Sequence, residues 1–211
     1  MGDIVEAPSA RLNVSVFGTA PLLEVEVIRG LEVVYRHPLA LSPGKPTNQY
    51  AVYWRGPLKG PCAGKINWQG CLTLDGARVI GSKPFAFRKS GDGIRKVSDR
   101  RWEITSKTSG NCNGVILEVA DSTKAELAFA TTPIQFRLPL CEIGSEGKLF
   151  MDKDGNSQAI VKKYSPDPAF KDVAFAFEEE PSPGMNPYWL RVVQIDGQEA
   201  WSSPIYLSVQ E

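Results

Sequence analysis

Apolar and polar residues alternate with period two over long parts of this chain. Leu12, Val14 and Val16 alternate with Asn13 and Ser15, and Leu23, Val25 and Val27 alternate with Glu24 and Glu26. Successive side chains of a strand point to opposite faces, so each run predicts a half-buried strand. Gly18-Thr19-Ala20-Pro21 supplies the turn between them, and Leu31 to Arg36 follows Arg29-Gly30 as a third strand. His37-Pro38 and Ser42-Pro43-Gly44-Lys45-Pro46 then read as a loop that leaves this first unit.

From Tyr50 to Tyr164 glycines recur every few residues and the expected strands are short. They fall at 50–55, 65–68, 71–74, 78–80, 85–88, 101–105, 115–119, 125–130, 134–138, 149–151 and 159–163. Asp75-Gly76 and Asp154-Gly155 sit where tight hairpin turns belong. No run places apolar residues at i, i+3, i+4 and i+7 long enough for a helix, so the expectation is an all-β chain.

At the C-terminal end Val173, Phe175 and Phe177 alternate with Ala174 and Ala176. A proline-rich crossing, Pro181 to Pro187, follows. A hairpin then runs from Tyr188 through the Asp196-Gly197 turn to Ile205–Val209, with Pro204 at the entry of its second strand. Three strands at either end are each too few to stand alone in water, and together they approach the number in a small sandwich. Residues 1–48 plus 166–211 are therefore expected to form one discontinuous sandwich, with 49–165 inserted as a second antiparallel β-sandwich.

This closing hairpin resembles the last two strands of an Ig/fibronectin type III-like sandwich. The features are Tyr188 opening the strand, Arg191 between apolar residues, the glycine turn, and Trp201-Ser202-Ser203-Pro204-Ile205. The resemblance implies that Tyr188 is a tyrosine corner, its hydroxyl satisfied by nearby backbone. It speaks to fold and leaves function to be argued from a site.

Composition narrows the classes. Hydrophobic residues make up 42% and charged residues 23%, ordinary for a globular protein. The 24 basic and 24 acidic residues cancel, so no overall electrostatic footprint for nucleic acid is expected, although a local basic patch is compatible with the sum. No apolar run reaches the ~20 residues of a spanning helix. Residues 1–8 carry acids where a secretory signal has bases, so no membrane partner and a cytoplasmic location by default are expected. The four cysteines form no C-x-x-C pair; Cys62 and Cys71 bracket an expected hairpin and are bridgeable, but buried reduced thiols are the preferred reading.

Candidate chemistry is sparse. The chain has one histidine, His37, in a loop, where solvation is expected, and no nucleophile elbow surrounds it. Asp152, Asp154 and Asn156 imitate the start of a calcium loop, but the twelfth position is Lys163, so a hairpin turn explains them better. Glu24, Glu26, Glu103, Glu118 and Glu126 alternate with apolar residues as outward strand positions do. The five tryptophans are core residues or platforms on which sugar rings stack, and Lys65-Ile66-Asn67-Trp68-Gln69-Gly70 mixes an indole with amides as a sugar site does. Trp54, Asn67, Trp68 and Trp102 are the candidate ligand-binding set. No catalytic, metal or cofactor residues are assigned.

The chain as a whole resembles the C-terminal β region of bacterial proteins whose N-terminal part is similar to the PHP (polymerase and histidinol phosphatase) metal-dependent phosphoesterases. The resemblance rests on Gly18-Thr19-Ala20-Pro21 with Val25 to Arg29, Trp54-Arg55-Gly56 with Asn67 to Gly70, Phe175-Ala176-Phe177, and Arg191-Val192 through Ile205. It implies that the metal-binding His and Asp clusters belong to the catalytic part, and that no residue here inherits them. The expected role is a non-catalytic accessory domain that packs on the catalytic part, forms a homo-oligomer or shapes the substrate entrance. The alternative is a carbohydrate-binding β-sandwich module.

Overall fold

The computed structural model describes residues 2–39, 48–57, 64–144, 146–164 and 171–210. In chain order the first strands are β1 (Ile4–Glu6), β2 (Ala10–Phe17), β3 (Leu22–Arg29) and β4 (Glu32–Arg36). The middle holds β5 (Gln49–Arg55), β6 (Ile66–Asp75), β7 (Val79–Phe85), β8 (Gly93–Ser98) and β9 (Arg101–Thr108). It continues through β10 (Cys112–Val119), β11 (Glu126–Thr131), β12 (Gln135–Pro139), β13 (Lys148–Met151) and β14 (Gln158–Lys163). The chain closes with β15 (Asp172–Glu179), β16 (Gly184–Gln194), β17 (Glu199–Trp201) and β18 (Ile205–Val209). The fold is all-β, and no helix among the described residues is long and apolar enough to cross a membrane.

Two compact units result, one of residues 1–40 and 166–211 and one of residues 41–165.

In the discontinuous unit one sheet has the order β1-β18-β16-β3-β4, with β17 added on β16, and β2 pairs with β15 in a second, two-stranded sheet. β1 runs parallel to β18, and the other pairs are antiparallel. Ala10 from β2, Val27 from β3, Phe177 from β15, Tyr188 from β16 and Leu207 from β18 close one hydrophobic cluster. Each large apolar side chain so buried contributes ~1.5–3 kcal/mol. Both chain termini therefore supply the same core.

Tyr188 does not behave as the tyrosine corner expected of it. Its hydroxyl donates to Oε2 of Glu179 at 2.8 Å rather than to backbone, while Oε1 of the same carboxylate accepts from Arg29. Glu179 ends β15, so this clasp ties the small sheet to β16 and β3 of the large one. Nor is the proline-rich stretch a crossing throughout, because β16 already starts at Gly184 and carries Pro187 within it. Burial, with the hydrogen bond to Glu179 behind it, pushes the Tyr188 phenol up to about 12. A raised pKa means that the folded state favours the neutral form. That stabilisation is complete below pH ~10 and is lost as pH rises through ~12. Tyr188→Phe is expected to lower stability at neutral pH by about 2 kcal/mol, the scale of a hydrogen bond to a charged group. It should also flatten the alkaline decline, read as denaturation midpoints at a series of pH values above 9.

The inserted unit is a sandwich of two five-stranded sheets, β13-β14-β5-β10-β7 and β12-β11-β6-β9-β8. All of their pairs are antiparallel. Trp54, Trp68, Leu72, Trp102, Leu117 and Phe129 are among the residues that fill the space between them. The expected strands at 65–68 and 71–74 are one strand, β6, continuous through Gly70. Glycine is needed there because a Cβ would lie 1.9 Å from the carbonyl oxygen of Ala130 on β11. Asp75-Gly76 does not make a hairpin: it carries the chain from β6 in one sheet to β7 in the other. Asp154-Gly155 does turn a hairpin, between β13 and β14. The expected strand at 85–88 ends at Phe85, where Ala86 takes φ 65°, and Pro84 is tolerated because β7 is an edge strand.

Candidate functional site

Three of the four candidate ligand residues face inward. Trp54, Trp68 and Trp102 are at most 1% exposed. They lie on the even-numbered, core-facing positions of β5, β6 and β9, so none offers a ring face to a sugar, and the platform expectation is corrected on that ground. Trp54 lies 6.3 Å from Trp68 and 5.6 Å from Phe129 in tilted arrangements that aromatic pairs prefer. Their polar edges are satisfied inside the sandwich. The Trp68 indole donates to Thr108 Oγ1 at 2.8 Å and the Trp54 indole to Ser106 Oγ at 3.2 Å. With the Asn113 amide nitrogen turned to the carbonyls of Ala86 and Cys112, the Ser106 hydroxyl donates onward to the Asn113 side-chain oxygen at 2.8 Å. Arg55, also buried, donates to Gln158 at 2.9 Å.

Asn67 is the member of the set that reaches solvent. It lies on the outer face of β6 with Gln69, Cys71 and Thr73, the residues between them pointing into the core. Strand register sets Lys107 opposite Asn67, Thr105 opposite Gln69, Glu103 opposite Cys71 and Arg101 opposite Thr73. Beyond them on β11 the face is lined by Ala128 and Ala130. Glu103 is paired with Arg95, and Glu126 with Arg137 at 2.9 Å. Arg101 and the Lys107 ammonium have no such partner among the described residues.

The two units differ sharply in charge. Residues 1–40 and 166–211 hold 5 basic and 13 acidic side chains, and residues 41–165 hold 19 and 11. The neutral total conceals this partition. Nine of the basic residues, against three acids, fall between Arg78 and Lys107.

In the discontinuous unit the sheet face turned away from the core carries two different environments. Glu24 and Glu26, expected outside as solvated positions, are buried with Arg191 from the neighbouring strand. Arg191 Nη1 lies 3.2 Å from Glu26 and 3.6 Å from Glu24, its Nη2 lies 3.2 Å from Glu199, and Arg36 Nε lies 2.9 Å from Glu26. Carboxylates withdrawn from water in this way need paired guanidinium groups. Along β16 the same face then opens, from buried Val193 and Arg191 to Met185, which is 54% exposed. At the open end Ile4, Tyr206 and Pro187 stand in one row across β1, β18 and β16, and Glu6, Ser208 and Met185 in the next. Ile4 is 68% exposed, and Trp201, opposite Arg191, is 53% exposed. A shallow cavity of about 360 Å³ lined by Glu6, Ala7, Pro8, Ser208 and Gln210 borders this patch.

The remaining candidates have structural explanations. His37 is stacked on Phe175 at 4.2 Å rather than solvated, with Tyr35 Oη 3.3 Å from its Nδ1, and burial lowers its pKa. Asp152 Oδ1 accepts from the Asn156 backbone N–H at 2.7 Å, the hairpin chemistry expected of that loop. No group of three or more His, Cys, Asp or Glu side chains suited to a metal ion occurs among the described residues. Cys71, Cys112 and Cys141 are free thiols, and Cys62 lies outside the described residues. The patch and the basic face escaped sequence reading because β1 is too short to signal itself and the basic run was cancelled in the total charge. A count of charge over residues 78–107 finds the second.

Comparison with protein-family models, with curated proteins and with solved structures finds no match.

Proposed function

We propose that this chain is a non-catalytic accessory module that works by binding, and that the patch of Ile4, Met185, Pro187, Trp201 and Tyr206 seats a partner protein. In a protein of the PHP-like phosphoesterase kind that the sequence resembles, that partner is the catalytic part itself. The observation carrying the reading is the patch: Ile4, Tyr206 and Pro187 stand in one row across three strands with Met185 in the next, and Trp201 is exposed further along the same face on β17. Exposed aromatic and methionine side chains of this sort are enriched where proteins meet. β1 borders the patch, so a domain joined ahead of it is held at the millimolar effective concentrations that short linkers give. The order β1-β18-β16-β3-β4 facing β2 and β15 supports the finer reading of this unit as fibronectin type III-like.

Isothermal titration of the chain with the separately produced phosphoesterase part is the test. Trp201→Ala with Met185→Ala is expected to weaken binding at least ~10-fold, since an aromatic anchor commonly carries more than 1 kcal/mol of an interface. Undiminished binding by this variant overturns the assignment of the patch. Manganese-dependent phosphoesterase turnover by the chain alone overturns the non-catalytic reading. The carbohydrate reading is favoured by a separate surface, the open face that carries Asn67.

A further inference from the structure

We propose that the open face of the β12-β11-β6-β9-β8 sheet is a binding site for a linear acidic polysaccharide. Its floor is low, because Cys71, Thr73, Thr105, Ala128 and Ala130 are all small. Two cations without acidic partners among the described residues, Arg101 and Lys107, rise from β9 six residues apart, roughly 20 Å along the strand. Each stands directly opposite a neutral hydrogen-bonding side chain: Lys107 opposite Asn67, Arg101 opposite Thr73, with Thr105 opposite Gln69 between them. Glu103 and Glu126 on this face are already taken by Arg95 and Arg137, while Asp75 lies just past Thr73 at the Arg101 end and Asp92 accepts from the Lys107 backbone N–H at 3.1 Å, so the acids sit at the two ends of the row.

A cation beside an amide or hydroxyl, repeated along a polar trough, matches a chain of sugar acids. A carboxylate meets the cation and the ring hydroxyls meet the neutral partner. Single-stranded nucleic acid is less well served. Its sequence-tolerant binding needs aromatic platforms for the bases, and Trp68, Trp102, Phe129 and Phe136 all turn inward from this sheet. The excess of basic residues between 78 and 107 adds long-range attraction for any polyanion. Selectivity then rests on the paired neutral side chains.

The test is affinity electrophoresis and titration of the whole chain with polygalacturonate, neutral dextran and oligothymidylate at low salt. Polygalacturonate is expected to bind, dextran not to bind, and oligothymidylate to bind more weakly. Arg101→Gln with Lys107→Gln should lower polygalacturonate affinity at least tenfold. Asn67→Ala should lower it severalfold without changing the oligothymidylate affinity, which a purely electrostatic surface would not do. Lys153→Gln with Lys163→Gln removes the same charge from the β13–β14 part of the other sheet and should leave binding within twofold. The proposal is overturned by absence of polygalacturonate binding, by tighter binding of oligothymidylate, or by equal loss in the two charge-removal variants. Trp201→Ala should leave all of these affinities unchanged, so this site and the protein-binding patch fail or stand separately.

Discussion

Trp54→Ala is expected to destabilise the inserted sandwich by ~3–5 kcal/mol, the cost of a large cavity in a packed core. The indole is fully buried between Trp68, Phe87 and Phe129, and its N–H is the first donor of the chain that runs through Ser106 to Asn113. Truncation removes both the packing and that donor. Trp54→Phe keeps most of the volume and loses the hydrogen bond, so a cost of about 1–2 kcal/mol is expected. Urea denaturation followed by circular dichroism measures both. If Trp54 were a sugar platform instead, its replacement would abolish ligand binding at nearly unchanged stability. An unshifted urea midpoint in Trp54→Ala would refute the core assignment.

Arg191→Ala should cost about 3–5 kcal/mol in the discontinuous unit, the range found when one partner of a buried ion pair is removed. Arg191 is 5% exposed and Glu26 1% exposed, and the guanidinium reaches Glu24, Glu26 and Glu199 from a single position. Arg36, the other cation of the group, is more open to water and pairs chiefly with Glu26. Arg191→Lys should recover only part of the loss, because a point charge cannot divide itself among three carboxylates as a planar fork does. Arg191→Met combined with Glu26→Leu should lose less than the sum of the single changes, since Glu26 is no longer left as a buried carboxylate without Arg191, although Glu24 and Glu199 still lose that partner. Thermal unfolding of the four proteins measures the coupling; strict additivity would show that the group is not an interacting unit.

These two expectations mark where sequence reading succeeds and where it stops. Alternation placed β2, β3 and β15 correctly, because period two is a direct consequence of backbone geometry. It also separated the Tyr188 face of β16 from the Arg191 face. What period two cannot say is whether the second face is covered. Glu24 and Glu26 looked solvated because they alternate with valines, and they are buried because β3 is buried throughout from Leu22 to Ile28. The same blindness applied to the tryptophans, whose aromatic character suits a core and a platform equally. Asn67 differed from Trp68 by one position, and that single step decides between water and the interior. β8 was missed because Ile94 and Val97 are the apolar residues it has, in an edge strand rich in Arg, Lys and Ser.

Because β4 ends at Arg36 and β15 begins at Asp172, the outer sandwich brackets the inner one in time as well as in sequence. During synthesis the first four strands leave the ribosome with no partners for their apolar sides and must wait for the C-terminal strands. The segment that forms β5 to β14 is complete before then and is free to fold. Its folding draws the separated ends of the outer sandwich together, sparing them the entropy of closing a long flexible loop. A lesion in the inner core such as Trp54→Ala should therefore also delay the outer unit.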